Sequence, residues 1–242
     1  MRAISIIYKR ELGRYLIRSP IGWIIAFVAL VIEGILFWSQ AMSGEQLSAI
    51  VLERYFYFAS GVPIGLGVLL SFRLLAEERQ NHSMILLKTS PIRDTEIILA
   101  KYFAALTYMG IILLISLYMP LMIKVNGKIS GAQIFVGYLG MFLLGSASLA
   151  IGIFASALTR YQILAALIGL FGVLILCFLF PLGKKLDEPV RGVLENLDLW
   201  WVHFQGGFMR GVINLKDVVY YLAVTYFFLL LAVKTLEAKR WQ

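Results

Sequence analysis

The sequence predicts an all-α membrane protein with six transmembrane helices in one domain, and three observations carry that prediction. Of 242 residues, 60% are hydrophobic and 15% charged, with a mean hydropathy of +0.84, whereas a soluble domain carries roughly a quarter charged residues. Long uncharged runs occupy residues 55–72, 102–123, 129–159, 163–182 and 218–233, and a further one begins after Pro20 and ends near Met42, interrupted only by Glu33. Each lies close to the roughly 17–25 residues a spanning helix needs. The runs are continuous and do not alternate apolar with polar residues, so they read as helices, and the strands of a membrane barrel are excluded.

Residues 1–18 are too polar to span. Wound as a helix they place Ile4, Tyr8, Leu12 and Tyr15 on one face and Arg10, Arg14 and Arg18 on another. That pattern predicts an amphipathic interface helix lying along the inner membrane surface. No small-residue cleavage site follows the first apolar run, so a signal peptide is not expected. Glu33 falls near the middle of the first span, where a charge costs roughly 2.5–3.5 kcal/mol on the insertion scale. It is expected to face the bundle interior, stay protonated or find a partner. Two roles stay open: a polar contact on a substrate path or proton-linked switch, and a structural carboxyl bonded to a neighbouring helix.

Basic residues set the orientation, because short loops keep Lys and Arg on the cytoplasmic side. Arg2, Lys9, Arg10, Arg14 and Arg18 precede the first span; Arg73, Arg79, Lys88, Arg93 and Lys101 sit around the next segment on that side; Lys234, Lys239 and Arg240 follow the last span. The short loops opposite offer Arg54, Lys124 and Lys128. Both termini are therefore expected in the cytoplasm. The net charge of +8 needs no nucleic acid, since a basic residue near anionic lipid headgroups contributes about 1 kcal/mol.

Catalytic chemistry is not expected. The single cysteine, Cys177, excludes an intramolecular disulfide, and His82 and His203 fall on opposite sides of the predicted membrane, so no metal site is foreseen. Gly127-Lys128 is followed by Ile129 and lacks the upstream glycine of a phosphate-cradling loop. Gly61 with Gly65, and Ser148 with Gly152, are spaced for close helix packing, and Pro63 and Pro120 are expected to bend their helices.

Two polar stretches remain. Residues 76–101, AEERQNHSMILLKTSPIRDTEIILAK, form a charged island between hydrophobic segments. Within it the apolar run Met84-Ile85-Leu86-Leu87 is framed by Glu77, Glu78, Arg79 and Lys88, which suits a groove on another protein better than a solvated loop. Asp94 and Glu96 are placed to favour the first turn of the next helix. Flanking helices from 65 to 79 and from 95 to 118 would carry motion from this knob into the membrane. Residues 184–216 carry Trp200, Trp201, Phe204 and Phe208, expected either as an outer gate on a re-entrant helix pair or as an interfacial anchor.

The stretch EERQNHSMILLKTSPIRDTEIILAKYFAAL resembles the segment between the second and third spans of ABC-2 type permeases. Glu77 and Glu78 match the family's acidic pair, Ser83 a threonine, Leu86 and Leu87 the leucine run, Thr89-Ser90-Pro91 the turn and Lys101 the lysine; His82 and Ile85 depart from its glycine and acidic residue. HFQGGFMRGVINLKDVVYYL at 203–222 and LEAKRW at 236–241 resemble the family's gliding-motility (GldF-like) branch.

The resemblance implies an ABC-2 (type V exporter-like) permease fold in a bacterial inner membrane. It implies a cytoplasmic coupling region at 76–94, with Glu77, Glu78, Arg79, Ser83, Met84, Leu86, Leu87 and Thr89 meeting an ATP-binding subunit. The turn at Thr159 and Arg160 would be a second, smaller contact. ATP and Mg would sit on that partner, with no cofactor on this chain. A second permease copy or related permease would complete the substrate path for export, and a periplasmic auxiliary protein is a further partner. Two other readings stay open: a membrane anchor that transmits ATP-driven motion without moving a substrate, and an ATP-independent transporter or channel. Against the last, no internal repeat is evident.

Overall fold

The computed structural model describes residues 2–41, 47–81, 92–127 and 129–238, and among them every regular element is helical. Helix α1 spans Arg2–Arg10 and runs on through a wider π-helical turn, Glu11–Ile17; α2 is Pro20–Leu36, extended by Phe37–Ala41. Then follow α3 (Ser48–Ala59), α4 (Gly61–Gln80), α5 (Asp94–Ser116), α6 (Tyr118–Asn126), α7 (Gly131–Leu158), α8 (Gln162–Cys177), α9 (Leu179–Gly183), α10 (Val190–Asn196) and α11 (Leu215–Ala238). Among the described residues five segments are long and apolar enough to cross a membrane: Pro20–Ser39, Ser48–Gln80, Asp94–Val125, Gly131–Leu158 and Leu215–Ala238. A sixth apolar helix, Gln162–Cys177, is shorter.

The prolines explain two breaks. Pro63 and Pro120 lack the amide that would bond to the carbonyl four residues back, and α3 stops at Ala59 and α5 at Ser116. Each proline then occupies the first turn of the following helix, where a missing amide costs nothing. The lever expected to run unbroken from 95 to 118 therefore ends at Ser116. The second apolar segment also starts earlier than expected: Arg54, read as a loop residue, lies inside α3, whose Leu52, Tyr55 and Phe56 are wholly buried.

Helix α7 is the axis of the bundle, packing on α4, α11, α8 and α5, and is buried along most of its length. Small residues permit its closest contact. A Cβ on Gly67 would lie 2.7 Å from the Leu149 amide nitrogen and 3.0 Å from the Gly145 carbonyl oxygen; one on Gly152 would lie 1.9 Å from Ser71 Oγ. Where lipid replaces water there is little hydrophobic drive between helices, so this backbone approach supplies the dispersion contacts that hold α4 to α7. The anticipated Ser148–Gly152 spacing takes part. Gly61 and Gly65 do not, since nothing lies within 4 Å of a Cβ built on either.

Candidate coupling site

At one end of the bundle four charged side chains meet. Glu11 from the π-helical turn, Glu78 from α4 and Lys101 from α5 are 3%, 9% and 1% exposed. Lys101 Nζ lies 2.8 Å from Glu11 Oε1 and 3.0 Å from Glu78 Oε1, while Arg10 Nη2 reaches the same two oxygens at 3.1 and 2.9 Å. Two cations thus alternate with two carboxylates. Such an array contributes less to net stability than to register, because desolvation offsets most of its Coulomb attraction. It ties the amino-terminal helix to the ends of α4 and α5. A cavity of about 60 Å³ beside it, lined by Glu11, Gly22, Leu74, Glu78 and Lys101 among others, has room for a few waters.

The rest of the last turns of α4 is tied inward as well. Arg73 Nε lies 2.8 Å from Glu77 Oε2 one turn on, and Arg79 donates to the Ala157 carbonyl at the end of α7. Gln162 Nε2 donates to Gln80 Oε1 at 3.2 Å. Ser156 bridges the two helices from the side: its hydroxyl accepts from the Leu75 and Ala76 amides at 3.2 and 2.9 Å and donates to the Phe72 carbonyl at 3.0 Å. A hydroxyl in the hydrogen-bond ladder at that turn pins α4 where it leaves the apolar bundle.

The turn between α7 and α8 therefore adjoins the end of α4. There Thr159 Oγ1 accepts from the Tyr161 amide at 3.1 Å, and the Arg160 guanidinium lies 5.3 Å from the centre of the Tyr161 ring. Of the residues read as coupling contacts, Glu77, Glu78, Arg79, Thr159 and Arg160 share this end. Ser83, Met84, Leu86, Leu87 and Thr89 lie outside the described residues. At the far side of that segment Asp94 and Glu96 occupy the first turn of α5, and the Glu96 carboxylate accepts from the Arg93 amide at 3.2 Å.

The basic residues of the amino-terminal helix divide. Arg10 joins the buried array, Arg18 is exposed, and the side chain of Arg14 lies outside what is described. Ile4, Tyr8 and Leu12, read as the apolar face of a helix on the membrane surface, pack on the core of the bundle, with Tyr8 Oη donating to Thr107 Oγ1 at 3.1 Å.

At the opposite end the predicted outer loop is a packed cap. Phe204 and Phe208 are wholly buried, Phe208 filling the space a side chain at Gly140 would take. Trp200 Nε1 donates to Ser60 Oγ at 2.8 Å, and Trp201 lies edge-on to Trp200 and parallel to Phe180. Asp198 accepts from the amides of Phe180, Trp200, Trp201 and Val202. Burial pushes its carboxyl up from the usual range, and those four donors pull it back. His203 sits between the Asp217 carboxylate (2.7 Å) and the Asn196 carbonyl (3.1 Å). Deep in the bundle Glu33 is fully buried and faces inward, as expected.

Glu11 and Ser156 went unread in the sequence. An acidic residue in a basic amphipathic helix was the one available signal for the first; a serine in an apolar helix gives none for the second.

Residues 16–176 match the family model described as ABC-2 family transporter protein. The chain belongs to the ABC-2 transporter family. The match runs from the end of the amino-terminal helix to nearly the end of α8, so it covers Glu78 and Lys101 of the buried charge array, but not Arg10 and Glu11, and both sides of residues 82–91. A search of curated proteins gave no match. As an ABC-2 permease the chain is a multi-pass membrane component of an ABC transporter; the family is a membrane transport component, not itself catalytic, and implies an ATP-binding partner in general.

Proposed function

We propose that this permease forms a substrate path with a second copy or a related chain and takes its motion from a separate ATP-binding subunit through residues 76–94. ATP and Mg would be held by that subunit and no cofactor by this chain. The observation that carries the reading is the buried array of Glu11, Glu78, Lys101 and Arg10. It makes one rigid piece of the amino-terminal helix and the two helices that flank the apolar run Met84–Leu87. A push on that run would then move three elements together instead of bending one loop.

In this reading the bundle has six spans, α8 and α9 jointly supplying the fifth. The amino-terminal helix lies on the inner face of a bacterial inner membrane, and both termini are cytoplasmic. Glu77 and Arg79 hold the platform, Ser83, Met84, Leu86, Leu87 and Thr89 enter the partner's groove, and Thr159 and Arg160 add a second contact beside Gln80. The cap over residues 184–216, with Trp200, Trp201, Phe204 and Phe208, closes the outer end. Its sequence at 203–222 supports the GldF-like branch, and the direction of transport is export. A periplasmic auxiliary protein would meet the cap.

The test replaces both Leu86 and Leu87 by Asp. The variant inserts in the membrane at normal levels, and the ATP-binding subunit is lost from it on affinity purification. Full retention of that subunit, with its ATPase rate still responsive to the permease, would overturn the assignment.

A further inference from the structure

Four polar side chains from four helices converge inside the bundle. Glu33 of α2 is wholly buried, and among the described residues neither carboxyl oxygen has a partner at full hydrogen-bonding geometry. Facing it are Tyr55 of α3 and Ser116 of α5, with Tyr138 of α7 behind them and Tyr118 beyond Tyr138. No cation pairs with Glu33 among the described residues. Phe37 meets Tyr55 edge-on and Phe56 meets Tyr138 likewise, each pair 5.9 Å between centres, so aromatic rings seal the cluster.

The hydroxyls form a chain whose direction is decided at one end. Helix α5 breaks at Leu117, whose amide bonds to the Leu114 carbonyl instead of that of Leu113. The Ser116 hydroxyl donates to the Leu113 carbonyl at 3.0 Å. With the one Ser116 hydroxyl proton on Leu113, Tyr138 is the donor across their 3.1 Å contact. With the Tyr138 proton on Ser116, Tyr55 is the donor across the 2.8 Å contact between the two phenols. Every hydroxyl proton now points away from Glu33. In that arrangement Tyr55 and Ser116 turn oxygen lone pairs toward the carboxyl, to which a neutral carboxyl can rotate and donate and a carboxylate cannot.

We infer that Glu33 is a proton-binding site inside the membrane, kept in its neutral form by a one-way hydroxyl chain through Tyr55, Tyr138 and Ser116 that ends on the Leu113 carbonyl. The ligand is a proton alone, since the group is closed off from solvent. The chain also supplies a switch. Turning the Ser116 hydroxyl away from Leu113 lets each phenol reverse, so that Tyr55 donates to Glu33 and the carboxyl can release its proton. Ser116 lies next to the helix break, the point at which relative movement of α5 and α6 would turn it.

Infrared difference spectroscopy of the full chain, purified with its ATP-binding subunit in lipid nanodiscs, reads the protonation state directly. Wild type minus Glu33→Gln shows a protonated-carboxyl stretch at neutral pH that shifts in heavy water and persists as the pH is raised. Ser116→Ala and Tyr138→Phe each release Tyr55 to donate, so both lose that band on raising the pH; Tyr55→Phe keeps it at a shifted position. These three remove only hydroxyls and are compared with wild type directly, so they decide the matter even if Glu33→Gln fails to insert. Carboxylate bands in place of the protonated stretch at neutral pH, or Ser116→Ala and Tyr138→Phe indistinguishable from wild type, would overturn the inference. The result is independent of what the permease carries or which subunit drives it.

Discussion

Lys101→Met lowers the stability of the permease by about 3–5 kcal/mol, the range for removing one partner of a buried ion pair. Methionine fills the same space, so packing is little changed and the loss is electrostatic. With Lys101 gone, the cation still shared by the buried carboxylates of Glu11 and Glu78 among the described residues is Arg10, whose side chain is 38% exposed. Adding Glu11→Gln to the same chain removes the surplus charge and recovers more than half of the loss, a coupling that two independent sites would not show. Unfolding in detergent micelles measures both, and limited proteolysis reports release of the amino-terminal helix in Lys101→Met alone. If the single substitution is silent, the array does not hold α1, α4 and α5 together.

Gly67→Val comes next in size. Its side chain would enter the contact between α4 and α7 where a Cβ already falls 2.7 Å from a backbone nitrogen. Flexible side chains can yield to an intruding atom, but a helix backbone can do so only by moving the whole helix. The cost therefore lies at or above the top of the overpacking range, about 3 kcal/mol. Gly65→Ala is the matched control two residues away. Its Cβ meets nothing within 4 Å, and the helix gains up to about 1 kcal/mol from exchanging glycine for alanine. Thermal unfolding of the two variants should move in opposite directions.

The contrast between those glycines shows where sequence reading stops. Spacing placed Gly61 and Gly65 on one face, and they do share one, but which face meets α7 depends on how α4 is rotated in the bundle. That rotation is decided by Gly67 and Ser71 against Gly145, Ser148 and Gly152, a pairing between segments some 80 residues apart that periodicity cannot register. Hydropathy located the apolar segments well because length and charge are one-dimensional properties. It misplaced the start of the second one, where Glu53 and Arg54 interrupt an otherwise apolar stretch and α3 nevertheless carries on to bury Tyr55 and Phe56. The prolines were read as bends; their fixed geometry and missing amide produce outright breaks at Ser60 and Leu117.

The candidate site was legible in part. Glu77, Glu78 and Arg79 stood out as a charged cluster after a hydrophobic run, and they do lie at one end of the bundle beside Thr159 and Arg160. Their contacts were not legible. Glu78 turns inward to Lys101 and Arg10, and Arg79 bonds to the Ala157 carbonyl, because the end of α4 is packed between α5 and α7 and its charges must be satisfied there. Glu33 drew notice as a lone charge in a span, but nothing in the sequence singled out Tyr55 and Tyr138, whose hydroxyl groups lie 2.8 Å apart.

Coupling through residues 76–94 is the central claim, and cysteine cross-linking tests it most directly. With Cys177, the single native thiol, replaced by Ser, a cysteine is placed at Leu86 in one chain and at Val125 in another, Val125 being highly exposed at the far end of the bundle. In the assembled transporter the cysteine at position 86 should cross-link to the ATP-binding subunit and the one at 125 should not. Cross-linking from 125 with none from 86 would contradict the account.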